Sequence, residues 1–98
     1  MKTALALIAR ELIRAQQKHP GWPNDPVHAA AVVAEEAGEL VQACLDMTYG
    51  VPPGHPRHFE IEDAAFNEAV QVGAMAVRFM LNFRRCIPRP SDRPEDPS

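Results

Sequence analysis

Strand signals, long apolar runs and excess positive charge are all missing from this chain. No stretch alternates apolar and polar residues with the period of a half-buried strand, so the expected class is all-α. Aromatic residues make up only 6% of 98, with one Trp and one Tyr. The formal net charge of -3 argues against general affinity for nucleic acid or an anionic membrane. The richest apolar segment, 69–81, contains Gln71 and Arg78 and falls short of the ~20 residues a bilayer span requires. Two cysteines, Cys44 and Cys86, lack metal-ligand or C-x-x-C spacing and are expected to be reduced and buried. A Gly-rich phosphate loop, a Walker-type lysine and a Ser/His/Asp order are absent too, so any phosphate chemistry would rest on a metal.

What is present suffices for one folded domain. Apolar residues reach 46%, enough to build a core, and the length is near the mode for single domains. The N-terminal Met1-Lys2-Thr3-Ala4-Leu5-Ala6-Leu7-Ile8-Ala9 resembles a signal peptide only superficially. Arg10 and Glu11 interrupt the run and an amphipathic pattern continues through them. The expectation is a soluble, cytoplasmic protein.

Three helices and a tail are predicted. Helix one covers 3–18, with Leu5, Ile8, Ala9, Leu12 and Ile13 on one core-facing stripe. His19-Pro20-Gly21-Trp22-Pro23-Asn24 stops it. Helix two starts with Asp25 as N-cap and Pro26 at the first helical position, where its missing N–H costs nothing, and runs to about 48. A loop rich in proline and glycine follows, and helix three covers 60–85. The folded domain is thus 1–86, and the proline-rich segment 87–98 is expected to be a disordered tail. Between 69 and 81 nearly every side of helix three is apolar, and two companion helices cannot cover it all. A homo-oligomer with a four-helix-bundle core, helix three at its centre, is therefore expected. Gly73 in that segment costs about 1 kcal/mol against alanine and suggests close approach of another backbone.

The acidic residues are the most informative feature. Glu35, Glu36 and Glu39 fall within roughly 100° of helix two, beside its apolar stripe. A solvated acidic face is the ordinary fate of such residues. Glu68, however, sits at the edge of the apolar part of helix three, with Gln71 one turn on, and a polar group there needs a partner. Placing Glu68 across the bundle from Glu36 and Glu39 would let them share a divalent cation, since oxygen-rich clusters suit Mg²⁺ or Mn²⁺.

At these residues the chain resembles the all-α nucleoside triphosphate pyrophosphatases, the MazG-like superfamily, over about residues 25–83. That family carries E-E-x-x-E on one helix and E-x-x-D on the next. Here the first half is Glu35-Glu36-Ala37-Gly38-Glu39 and the second is Glu68-Ala69-Val70-Gln71, with Gln71 where the family has aspartate. Glu60-Ile61-Glu62-Asp63 fits the second half literally but lacks the apolar continuation, so Glu68 is preferred. The resemblance implies Mg²⁺- or Mn²⁺-dependent cleavage of a (d)NTP to the monophosphate and pyrophosphate. It also implies Glu36, Glu39, Glu68 and Gln71 as metal ligands. Glu35 becomes the candidate general base, although Glu35 and Glu36 could exchange roles. Because Gln71 removes one charge, weak activity or a non-catalytic helical assembly or nucleotide-binding protein is the alternative.

Substrate contacts are less constrained. Trp22 stacks on a nucleobase or caps the core, Arg78 reaches a phosphate or pairs with a carboxylate, and Asn82 lies near enough to read a base. A zinc reading of His28, His55 and His58 fails for want of cysteine at ligand spacing.

Overall fold

The computed structural model describes residues 2–52 and 54–86, with side chains through Phe83. Three α-helices form as expected: α1 (Lys2–Lys18), α2 (Pro26–Leu45) and α3 (His58–Cys86). Among the described residues no strand is present. None of the helices is long and apolar enough to cross a membrane. The tail expected to be disordered, 87–98, lies outside the described residues.

Local chemistry sets the helix ends. Lys18 closes α1 because the next residue precedes a proline, which disfavours the helical region. Asp25 has extended backbone angles, and its Oδ1 accepts a hydrogen bond from the Val27 N–H at 3.1 Å, capping α2 ahead of Pro26. At the other end α2 departs from the expected boundary near 48. Its α-helical hydrogen bonding ends at Leu45, and Asp46–Gly50 widens into a single π-helical turn. The Asp46 N–H is shared between the carbonyls of Gln42 and Ala43, and its carboxylate accepts from Gln42 Nε2 at 2.9 Å. Local side-chain bonding of this kind competes with the regular ladder. In the connection to α3, Gly54 adopts φ +84°, and His55 Nδ1 accepts from the Arg57 N–H. α3 begins two residues before the expected start, at His58, which pairs with Glu62 one turn on.

α3 is the central element. The backbones of α1 and α2 each pack on α3 and not on one another. The shielded residues of α2 include Val33, Glu36, Leu40 and Ala43, and those of α3 include Ile61, Ala65, Glu68, Val72, Met75 and Phe79. Both sets alternate steps of three and four, the spacing of an interhelical seam. The most deeply buried apolar residues are alanines: Ala15, Ala29, Ala65 and Ala74. Small side chains at these points bring helix backbones together while withdrawing little apolar surface. Among the described residues no large side chain is fully buried.

Several large apolar residues stay in water. Leu5 and Ile13, expected on the core stripe of α1, are more than half exposed, whereas Ile8 and Leu12 are shielded. Cys44 is a free, exposed thiol, not the buried one expected, because its side of α2 faces away from α3. The Cys86 side chain lies outside the described residues. Along α3, Phe59, Phe66, Ala69, Gly73, Ala76, Met80 and Phe83 repeat at steps of three, four or seven, and the large members are exposed, Met80 at 71%.

Gly73 has a different cause from the one expected. The space a Cβ would take is occupied by a side chain of α1, not by another backbone: Ile8 Cδ1 would lie 2.8 Å and Cγ1 3.0 Å from it. Overpacking costs ~1–3 kcal/mol and helix propensity returns about 1 kcal/mol, so Gly73→Ala should destabilise the fold by about 1 kcal/mol in urea denaturation. In an Ile8→Val background, which removes Cδ1, the penalty should shrink or vanish.

Candidate metal centre and groove

Glu36 and Glu68 stand where a packed helix pair ordinarily carries apolar side chains. Glu36 falls between Val33 and Leu40 in the α2 seam, and Glu68 falls between Ala65 and Val72 in that of α3. Glu39, one turn beyond Glu36 and exposed, leans toward the same point. One carboxylate oxygen from each of the three lies within 4.8 Å of the other two. Among the described residues this is the group of acidic, His or Cys side chains with the geometry to hold a metal ion. The structure thus brings together Glu36, Glu39 and Glu68 and leaves the alternative pair, Glu60 and Asp63, exposed nearer the start of α3.

The electrostatics of the cluster are unfavourable as it stands. Burial, followed by repulsion from Glu39, Glu68 and Glu11, raises the Glu36 carboxyl above its ordinary value. Glu68 is raised in the same order, by burial and then by Glu39. One oxygen of Glu36 and one of Glu68 are buried with no hydrogen-bond partner. A buried acceptor without a donor costs free energy, and a shared proton or a bound cation would relieve that cost here.

Beside the cluster runs a groove of about 340 Å³, walled by α1 and α2 and floored by α3. α1 contributes Glu11, Arg14, Ala15 and Lys18, α2 contributes Val32 and Glu36, and α3 contributes Gln71, Met75 and Arg78. Trp22 and Pro23 close it at the α1–α2 connection. Gln71 therefore faces the groove beside Glu36, one turn along from Glu68. Glu35 is exposed and belongs neither to the three-glutamate cluster nor to the groove lining.

Arg78 holds this end of the groove in place. It is 4% exposed, and its guanidinium donates to the carbonyls of His19 and of Gly21, the latter at 3.0 Å. It also lies 5.0 Å from the centroid of the Trp22 ring, a cation–π stack. Its partners are backbone carbonyls of the connection, where sequence reasoning offered a phosphate or a carboxylate. Trp22 accordingly packs against the α3 arginine. Asn82 Nδ2 donates to the Arg78 carbonyl at 2.8 Å, one turn farther along α3.

Sequence reasoning did not single out Glu11, Arg14 or Lys18. Arg14 binds Glu11 through two nitrogens, its Nε at 2.8 Å, and the Glu11 side chain is only 18% exposed. Their spacing of three and four residues puts them on one face of α1 and was the available signal. His55 and His58, weighed for zinc, serve the local turn and the pair with Glu62. His28 is exposed in the first turn of α2. No family model, curated protein or solved structure matches this chain.

A carboxyl raised in the folded state binds its proton more readily there than in the unfolded chain. The cluster's penalty is therefore absent at and below the ordinary carboxylate range and grows as pH rises through the raised values. In metal-free buffer at pH 7, Glu36→Gln and Glu68→Gln should each increase Tm by a few degrees. The gain should fade as pH is lowered toward 4.5, the ordinary carboxyl value. Differential scanning calorimetry from pH 4 to 8 checks both the sign and the window.

Proposed function

We propose that Glu36, Glu39 and Glu68 hold Mg²⁺ or Mn²⁺ and that the chain is a metal-dependent nucleoside triphosphate pyrophosphohydrolase. The observation that carries this reading is the convergence of three carboxylates from two helices, two of them with buried, unpartnered oxygens. The Glu35-Glu36-x-x-Glu39 and Glu68 pattern, resembling that of the MazG-like enzymes, supports it from the sequence side. Bound there, a dication would supply charge neutralisation for phosphate oxygens and for charge developing in the transition state.

In the proposed reaction water attacks the α-phosphorus of a (d)NTP and the bond to the α–β bridging oxygen breaks. The products are the nucleoside monophosphate and pyrophosphate, and the proton of the attacking water passes to a base. Glu35 is assigned that role on the motif alone. The seam glutamates fix the substrate end of the groove, while Gln71 presents a neutral amide oxygen or N–H beside them. A soluble, cytoplasmic enzyme fits this reading. Pyrophosphate release across a (d)NTP and NTP panel with Mg²⁺ and Mn²⁺ tests it. Turnover of at least one nucleotide is expected, abolished by Glu36→Gln or Glu39→Gln. Millimolar Mn²⁺ should raise the wild-type Tm by mass action and leave that of Glu36→Gln unmoved.

A second reading is a non-catalytic helical assembly or nucleotide-binding protein on the same scaffold. Gln71, with one charge fewer at the site, favours it. Stabilisation by Mn²⁺ with no pyrophosphate from any nucleotide would decide for it. In both readings a second copy of the chain covers the exposed apolar stripe of α3, completing a four-helix core, because among the described residues the buried apolar side chains are alanines. Light scattering after gel filtration should give a dimer or larger for the wild type, and Met80→Glu, at an exposed large apolar member of that stripe, should shift it to monomer.

A further inference from the structure

Charge balance around the cluster leads to α1. Three carboxylates outweigh a single dication by one charge, so a loaded centre still repels a polyphosphate. Some other group must offset that repulsion. Among the described residues the full cations lining the adjoining groove are Arg14, Lys18 and Arg78. Arg78 is committed to two backbone carbonyls and to Trp22 and is almost wholly buried, so it is not free to turn toward a ligand. Arg14 and Lys18 remain on the α1 wall, both exposed. Arg14 is paired with Glu11 but, unlike Arg78, its side chain is 55% accessible and can meet an anion from the groove side.

Their placement suits an elongated anion. Glu11 and the cluster residue Glu36 line the same groove, which brings that stretch of α1 to the site. Arg14 and Lys18 follow at one and two turns, about 4.5 and 10.5 Å along the helix axis from Glu11 at 1.5 Å per residue. Glu11 grips the guanidinium from its own helix and holds it over the groove mouth, so little side-chain freedom is lost when an anion arrives.

We propose that α1 is the anion-binding half of the site, with Arg14 and Lys18 gripping the phosphates of a nucleoside polyphosphate that the metal does not hold. The assignment rests on the nucleotide reading above and deepens it. The preferred ligands are compounds with a chain of phosphates, since a monophosphate held at the metal does not extend to Lys18. Guanidinium and ammonium groups at successive turns discriminate by chain length and not by base.

Calorimetric titration of the full chain in Mg²⁺ tests the assignment, using inorganic tripolyphosphate, an α,β-methylene nucleoside triphosphate and the matching monophosphate. Arg14→Gln and Lys18→Gln should each weaken tripolyphosphate and the triphosphate analogue by roughly tenfold, the loss expected of one charge-assisted contact. Affinity for the monophosphate, and stabilisation by Mn²⁺ alone, should stay unchanged. Equal binding of the triphosphate by wild type and by the double variant would overturn the α1 assignment while leaving the nucleotide reading intact. Equal losses for monophosphate and triphosphate would overturn it as well, because the cations would then not read the outer phosphates. A wild type that binds none of the three compounds would remove the nucleotide reading and the assignment together.

Discussion

Two glutamates in the seam between α2 and α3 are the constraint on which the rest depends. Elsewhere the seam follows the ordinary rule, apolar side chains at steps of three and four, and the helices pack on it. At Glu36 and Glu68 the same geometry forces carboxylates toward each other in partial shelter from water, with Glu39 at the edge. A mutual approach within 4.8 Å is tolerable for carboxylates only if protons or a cation share the space. The apolar positions on either side prevent the helices from parting to relieve it. Packing thus maintains an electrostatic conflict that a ligand can resolve, the logic expected of a site rather than of a surface.

The helices and their starts were legible because each rests on short-range chemistry. Asp25 and Pro26 mark the start of α2 without reference to the rest of the molecule, and Lys18-His19-Pro20 marks the end of α1. The pairing of Glu68 with Glu36 and Glu39 could also be anticipated, since a carboxylate at the edge of an apolar helix needs a partner and α2 offers few others. Gln71, one turn beyond Glu68, lines the groove. The end of α2 was harder to read: the π-helical turn at Asp46–Gly50 is a change in backbone hydrogen bonding, which side-chain periodicity does not report.

The α1 wall of the groove was not legible, for a physical reason. Glu11, Arg14 and Lys18 share a helix face, but which face looks at the acidic cluster depends on the angle at which α1 crosses α3. The two helices meet closely where Ile8 lies against Gly73, two residues 65 positions apart. Arg78 illustrates the same limit. An arginine in an apolar helix demands acceptors, yet nothing local says they will be the carbonyls of His19 and Gly21. Cys44 was misread because an apolar sector on α2 was assumed to be covered throughout, whereas α3 covers only part of it.

Satisfying Arg78 with carbonyls has an electrical consequence. Carbonyl groups solvate a guanidinium without cancelling its charge, so a full positive charge is retained inside the fold at the connection end of the groove. Away from that end lie the seam carboxylates, where Glu36 and Gln71 line the groove and Gln71 stands two turns of α3 from Arg78. The cavity is therefore polarised along its length, and a zwitterionic or dipolar guest would enter it in one orientation only.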